Sequence, residues 1–178
     1  MLANQTNGSK RPRLPFRLTV NGRDVETSIE PRETLLDFLR DRLGLKGAKR
    51  SCDVQVCGTC TVLLDGQPVS SCCTLAYEAR ERQVITIEGL SQAGELHPIQ
   101  AAFIRCTGLQ CGFCTPGMIL TAKSLLDQVP NPTPEQIRNH MEGNLCRCTG
   151  YWNILEAVEE AARTMVGQNN GTKGGPSL

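Results

Sequence analysis

Hydrophobic and polar residues alternate early in the chain, which is the pattern of a strand with one buried face. The alternation runs over residues 16–20, is interrupted by Asn21-Gly22 and resumes over residues 25–29. Asn-Gly between two such runs favours a type I′ turn, because both residues tolerate positive φ. The first folded element is therefore predicted to be a β-hairpin.

Helical spacing follows the hairpin. Leu35, Phe38, Leu39 and Leu43 recur on one face of a helix, and Thr34 before them is a favourable N-cap. A second hairpin is predicted over residues 61–71, around Asp65-Gly66, and a last strand over residues 84–87. The first half of the chain is thus predicted to be a small α+β domain with one helix crossing a sheet.

From residue 91 the strand pattern disappears and helical spacing takes over. Helices are predicted to begin near His97-Pro98, Thr115-Pro116, Thr133-Pro134 and Trp152, the last ending near Met165. Proline is tolerated in a first turn, and Thr133 with Gln136 forms a capping box. Residues 91–166 are predicted to be a four-helix domain, and residues 1–13 and 167–178 to be disordered tails.

Composition and charge indicate which kinds of partner and which compartment to expect. The 178 residues carry a formal net charge of +1 and no basic stripe, which argues against nucleic acid as a partner. No apolar run reaches the length of a membrane span, and the polar amino end lacks the apolar core of a secretory signal. A cytoplasmic location is expected, where ten cysteines indicate metal ligands rather than disulfides.

Four cysteines between the two hairpins form a first set: Cys52, Cys57, Cys60 and Cys72. The C-x4-C-x2-C spacing of the first three is that of plant-type 2Fe-2S ferredoxins. Zinc sites favour paired knuckles, which this triplet fits poorly, and disulfides need an oxidising compartment. Residues 14–90 are therefore predicted to form a β-grasp 2Fe-2S ferredoxin domain. Sequence physics alone leaves open whether Cys72 or its neighbour Cys73 is the fourth ligand.

A second set lies in the helical half: Cys111, Cys114, Cys146 and Cys148. Its C-x2-C and C-x-C spacings are compatible with either a structural zinc ion or a 2Fe-2S cluster. Two ligands separated by one residue strain a tetrahedral zinc site, which favours iron. Amide groups at helix amino ends near Thr115 and after Cys148 would suit a negatively charged cluster.

Four segments together resemble the iron–sulfur subunit of the molybdenum hydroxylases, the family of xanthine dehydrogenase, aldehyde oxidoreductase and aerobic carbon monoxide dehydrogenase. They are Cys52-Asp-Val-Gln-Val-Cys57-Gly-Thr-Cys60, Asp65-Gly-Gln-Pro-Val-Ser-Ser-Cys72, Gly108-Leu-Gln-Cys111-Gly-Phe-Cys114-Thr-Pro-Gly and Asn144-Leu-Cys146-Arg-Cys148-Thr-Gly. The resemblance covers about residues 14–165. It implies two 2Fe-2S clusters, one held by each cysteine set, with Cys72 as a ligand.

The resemblance also implies partners and a direction of electron flow. The helical-domain cluster is expected to face a molybdenum–pterin cofactor, of the cytosine dinucleotide form, on a large subunit. Gln110 and Cys148 match the family residues that contact the pterin, and the β-grasp cluster is expected to face FAD on a medium subunit. Ser51 and Gln55 depart from the family, which often has glycine at both positions.

The resulting hypothesis is an electron-transfer subunit of a heterotrimeric oxidoreductase, with no catalytic residue of its own. Substrate would be hydroxylated at molybdenum on another chain, with oxygen from water, and electrons would pass singly to FAD. A free-standing ferredoxin-like shuttle is the alternative, and it would not require the second domain with Gln110. A zinc-stabilised interaction protein is a third hypothesis.

Overall fold

The chain forms a five-stranded sheet packed against a set of helices, seen in a computed structural model that describes residues 12–171. Most of the predicted amino-terminal tail and the end of the carboxyl-terminal tail lie outside the described residues. The strands are β1 (Leu14–Val20), β2 (Arg23–Ile29), β3 (Thr61–Leu64), β4 (Gln67–Ser70) and β5 (Gln83–Ile85). Their order in the sheet is β2-β1-β5-β3-β4.

The sheet is mixed. β1 pairs antiparallel with β2 and parallel with β5, while β3 pairs antiparallel with both β4 and β5. Both predicted hairpins are present. Asn21 and Gly22 have φ values of 51° and 77°, as a type I′ turn requires, and Asp65 and Gly66 repeat the conformation at 48° and 80°.

The crossing helix is short and changes its winding. α1 (Leu35–Asp37) continues as a π-helical segment over Phe38–Arg42, and the Thr34 hydroxyl accepts the Asp37 N–H at 3.1 Å. Phe38 is fully buried and packs edge-on against Phe16, with ring centroids 5.1 Å apart. The buried side chains of this helical segment pack against the sheet and belong to the hydrophobic core of the first half.

The predicted last strand is shorter than expected. β5 ends at Ile85, and Ile87 lies in a 3-10 turn over Ile87–Gly89. The Ile87 side chain packs against the core of the helical half instead of continuing the sheet.

Four further helices build the second half, as predicted: α2 (Pro98–Arg105), α3 (Thr115–Gln128), α4 (Pro134–Met141) and α5 (Trp152–Gly171). The predicted capping box is present at the amino end of α4. The N–H of Thr133 donates to Gln136 Oε1 at 2.8 Å, and the N–H of Gln136 donates to Thr133 Oγ1 at 3.2 Å. α5 extends to Gly171, past Met165, where the last helix was predicted to end. No helix in the described residues is long and apolar enough to cross a membrane.

The two halves share a buried boundary. The core of the helical half includes Leu63 from β3, which is fully buried among residues of the helices. The neighbouring residues Val62 and Leu64 belong to the core on the other side of the sheet. Because alternate residues of a strand point to opposite faces, β3 lies between the two cores and fixes the halves against each other.

His140 on α4 links two helices through a partly buried hydrogen bond, its Nε2 lying 2.8 Å from the Ser124 hydroxyl of α3. Burial lowers the pKa of His140 and also that of His97, the only other histidine in the sequence. Protonation is therefore less favourable in the folded protein than in the unfolded chain.

We expect the histidines to make stability depend on pH. Because their folded-state pKa values lie below the unfolded value of about 6.5, their contribution is complete above that pH and is lost as pH falls through the window below it. His140→Gln should flatten this dependence. Chemical unfolding at several pH values between about 5 and 7.5 measures it, and a slope unchanged by the substitution would contradict the assignment.

Candidate metal centres

The first cysteine set lies at the edge of the sheet, in the loop before β3 and just after β4. Cys57, Cys60 and Cys72 are buried and Cys52 is half-buried. Cys52 and Cys57 lie close enough for their thiols to influence each other, and Cys60 is influenced by both Cys72 and Cys57. The four sequence-predicted ligands of the first set thus lie together.

The loop around Cys52 turns its amide groups towards the sulfur. The backbone N–H groups of Val56 and Cys57 each lie 3.4 Å from Cys52 Sγ. The N–H of Val54 contributes most to a lowered pKa of this thiol, and with the N–H groups of Cys57 and Val56 it brings that pKa to about 6. The site therefore favours a thiolate, which is the form that binds metals.

This curl depends on left-handed backbone conformations. Asp53 and Gln55 have φ values of 55° and 58°. Residues other than glycine adopt this left-handed conformation at some energetic cost. Gln55 is one of the positions that depart from the family, where glycine is common. The departure therefore retains a glycine-like backbone and adds strain to the loop.

Cys72 and Cys73 are neighbouring thiols that differ in burial. Cys72 is buried and Cys73 is exposed. The sulfur of Cys73 lies 3.7 Å from Cys72 Sγ and 3.7 Å from the Asp53 carbonyl oxygen. Cys72 is therefore the inner thiol of the two, and its role as the fourth ligand stays a prediction.

The second cysteine set joins two loops of the helical half. Cys111 and Cys114 precede α3, and Cys146 and Cys148 lie between α4 and α5. The sulfurs of Cys111 and Cys148 are 3.6 Å apart at the surface, while Cys114 and Cys146 are half-buried. Burial first, and then the hydrogen bond with Cys146, raise the pKa of Cys114 to about 12.

Pairing of the thiols bears on the choice of metal. A four-thiolate zinc site gathers all its sulfurs around one point, whereas a 2Fe-2S cluster binds two sulfurs on each iron. In the second set, Cys111 and Cys148 form such a pair, with their sulfurs 3.6 Å apart. Four cysteines in each set are the number of ligands that a 2Fe-2S cluster needs.

The two cysteine loops touch each other through their backbones. The N–H of Leu145, next to Cys146, donates to the carbonyl oxygen of Cys57 at 2.9 Å. A single hydrogen bond thus connects Cys57 of the first set to the loop that carries Cys146 of the second set.

The side chain of Asn144 also holds the two cysteine loops together. It is buried, its Nδ2 donates to the Gly58 carbonyl oxygen at 2.9 Å, and its Oδ1 accepts from the Thr121 hydroxyl of α3 at 2.8 Å. Sequence reasoning missed this residue, because an asparagine two positions before a cysteine carries no signal of its long-range partner.

Hydroxyl groups near the cysteines were also missed. Thr59 Oγ1 lies 3.3 Å from Cys57 Sγ, and Thr149 Oγ1 donates to Cys146 Sγ at 3.2 Å. The Tyr151 hydroxyl accepts the N–H of Cys146 at 3.0 Å. Such bonds orient the sulfurs and stabilise negative charge on them. A threonine within three residues of a cysteine was the available signal.

Gln110 is exposed beside Cys111, and Cys148 is exposed as well. The two residues predicted to contact a pterin therefore lie on the accessible side of the second set. Cys114 and Cys146 lie on its inner side, packed against the helical core.

Comparison with known proteins identifies the fold. Residues 18–91 match the family described as 2Fe-2S iron-sulfur cluster binding domain, and residues 86–159 match the family described as 2Fe-2S binding domain. The beta subunit of the 6-hydroxypseudooxynicotine dehydrogenase complex of Paenarthrobacter nicotinovorans is 50% identical over 149 residues, which cover 82% of this chain and 93% of that subunit.

Solved structures agree. Quinoline 2-oxidoreductase from Pseudomonas putida 86 superposes with a TM-score of 0.83 at 44% identity, over 87% of this chain and 97% of that one. The aldehyde oxidoreductase of Desulfovibrio gigas gives 0.83 at 41% identity, over 87% of this chain and 17% of that longer chain. The chain belongs to the iron–sulfur subunit family of the molybdenum hydroxylases. Its β-grasp domain followed by a helical domain is the fold of this family.

Gly58 is where this molybdenum hydroxylase subunit tolerates no side chain. Its φ is +68°, and an added Cβ would lie 2.5 Å from the Gly143 carbonyl oxygen and 2.6 Å from Asn144 Nδ2. Gly66 provides a matched control, since its φ is +80° and nothing lies within 4 Å of a Cβ there.

We expect Gly58→Ala to separate the two cysteine loops and to lower the iron and sulfide content per chain. Gly66→Ala carries the same backbone strain, of about 1–2 kcal/mol, without the clash, and should keep full iron content. Iron and acid-labile sulfide assays on both variants make the comparison. Equal loss in both, or no loss in Gly58→Ala, would contradict the role given to this contact.

Proposed function

We propose that this chain is the electron-transfer subunit of a molybdenum hydroxylase complex and carries two 2Fe-2S clusters. The proposed ligands of the β-grasp cluster are Cys52, Cys57, Cys60 and Cys72, and those of the helical-domain cluster are Cys111, Cys114, Cys146 and Cys148. The observation that carries the proposal is that the loops of the two four-cysteine sets are joined by the hydrogen bond from Leu145 to Cys57, while Cys111 and Cys148 of the second set have their sulfurs 3.6 Å apart.

When bound, the clusters would pass electrons singly from a molybdenum–pterin centre to FAD, both held by other chains. The protein's own part is to hold and insulate them. Amides and threonine hydroxyls donate to the sulfurs of Cys52 and Cys146, which stabilises negative charge there. Buried residues on the inner side, such as Cys60 and Asn144, exclude water between the two sites.

Exposed apolar side chains support two docking surfaces. Val54 and Val56 project from the first cysteine loop, with 64% and 60% of their surface exposed. Around the second set, Phe113, Leu145 and Trp152 are exposed, Trp152 by 78%. Apolar groups beside a redox site are suited to burial against another protein.

The two surfaces belong to different partners in this proposal. The large molybdenum subunit would cover the second set, where Gln110 and Cys148 would contact the pterin cofactor in its cytosine dinucleotide form. The medium subunit would bring FAD to the first set. Substrate binding and hydroxylation would take place on the large subunit, so that this chain contributes no catalytic residue. The cytoplasmic location predicted from the sequence stays a prediction.

A free-standing ferredoxin-like shuttle is the alternative. It would need one accessible redox site, whereas this chain has exposed apolar residues beside both cysteine sets. A shuttle should also purify alone. Co-purification of a large molybdenum-containing chain and a flavin-containing chain distinguishes the two functions.

Metal content and paramagnetic resonance test the clusters directly. We expect the reduced protein to give two distinct rhombic 2Fe-2S signals, and Cys114→Ser to remove one of them while leaving the other. Cys106→Ser is the control, because Cys106 is a half-buried thiol outside both sets and should leave both signals intact.

Three results would defeat the proposal. They are zinc in place of iron, a single signal in the unmodified protein, and a Cys114→Ser variant that retains both signals and full electron transfer.

A further inference from the structure

The hydroxyl of Thr115 is buried without a partner. Its Oγ1 is the one side-chain nitrogen or oxygen in the described part of the chain that is shielded from solvent and forms no hydrogen bond. Thr115 is the first residue of α3 and directly follows Cys114 of the second cysteine set. A buried donor of this kind is costly unless something satisfies it.

Other buried hydroxyls of this protein donate hydrogen bonds to backbone carbonyl oxygens. Thr61 donates to the Gly58 carbonyl oxygen at 2.7 Å, Ser71 to that of Cys60 at 2.6 Å, and Ser124 to that of Thr121 at 2.8 Å. Thr115 has no such carbonyl. It also does not cap its helix, since Cys114 is the N-cap residue and no side chain makes the capping bond.

The side chains of the cavity that Thr115 borders supply no free acceptor. This space of about 290 Å³ is lined mostly by apolar side chains, with Gly112 at the cysteine loop. Gln100 is the polar exception, and its Oε1 already accepts from the N–H of His97 at 2.9 Å and from the Ser91 hydroxyl at 3.0 Å. The other neighbour of Thr115 is Cys114 of the second cysteine set, which precedes it in the chain.

Other threonine hydroxyls lie within hydrogen-bond distance of cysteine sulfurs in both sets. Thr149 donates to Cys146 Sγ at 3.2 Å, and Thr59 lies 3.3 Å from Cys57 Sγ. Cys114 is the most buried thiol of the second set and pairs with Cys146. The unpartnered hydroxyl of Thr115 thus belongs to the residue next to a proposed cluster ligand.

We propose that the Thr115 hydroxyl donates a hydrogen bond to a sulfur of the helical-domain cluster and thereby raises its reduction potential. The inference rests on the ligand set proposed above. Reduction adds negative charge, which a donor to sulfur stabilises, so the reduced form gains more from the bond than the oxidised form does. Thr115 is a positioning and tuning residue in this account.

The test is a redox titration of the purified protein, followed by the paramagnetic resonance signal of each cluster. Thr115→Val removes the hydroxyl and keeps the shape, whereas Thr115→Ser keeps the hydroxyl. We expect Thr115→Val to lower the reduced-to-oxidised ratio of the helical-domain cluster about tenfold at a fixed potential, a shift of about 59 mV for one electron. Thr115→Ser should stay near the original potential.

Two controls separate tuning from a general disturbance. The β-grasp cluster in the same sample should keep its potential in every variant. Thr164→Val removes a hydroxyl that bonds the Glu160 carbonyl oxygen within α5, and it should shift neither cluster. If Thr115→Val fails to retain the cluster, Thr115→Ala provides the same comparison with less bulk.

The outcomes distinguish this inference from the function on which it rests. An unchanged potential in Thr115→Val would overturn the hydrogen bond, and would instead indicate a bound water or a partner's polar group at Thr115, with the function intact. Equal shifts in Thr115→Val and Thr115→Ser, or in both clusters, would overturn it as well. Absence of iron and sulfide from the unmodified protein would overturn the proposed function itself.

Discussion

The structure depends on a backbone contact between two loops that are far apart in sequence. Leu145 donates to the carbonyl oxygen of Cys57, and Asn144 donates to that of Gly58, both at 2.9 Å. The second bond is fully buried, so neither partner can exchange it for water without opening the boundary between the halves. Gly58 permits this approach because any side chain would collide with residues 143 and 144.

This contact has a functional consequence, because each loop carries a cysteine of a different set. One route between the sets is covalent except for the hydrogen bond from Leu145 to Cys57. Leu63 on the interior strand β3 supports the same contact, because its side chain is buried in the helical core. The halves are thus packed against each other, and Cys111 and Cys148 of the second set remain exposed.

Local signals in the sequence predicted most of the elements, and long-range ones were missed. Asn21-Gly22, Thr34 and the Thr133 capping box act on residues a few positions away, so their turns and helix starts were predicted from the chain alone. The departure of Ile87 from the sheet depends on packing against a distant helical core, which the pattern of one strand does not contain. Cysteine spacing and motif resemblance predicted the two cysteine sets, whose role as ligands stays a prediction, whereas the contacts of Asn144 were recognised only once its partners were placed.

The most direct test of this account is the magnetic interaction between the two clusters. Because the cysteine loops touch through one hydrogen bond, two paramagnetic clusters held by them must be close neighbours. Paramagnetic resonance of the fully reduced protein should therefore show both signals split by spin coupling, and half-reduced samples should show unsplit signals. Two fully reduced signals that add without any splitting or faster relaxation would contradict the account.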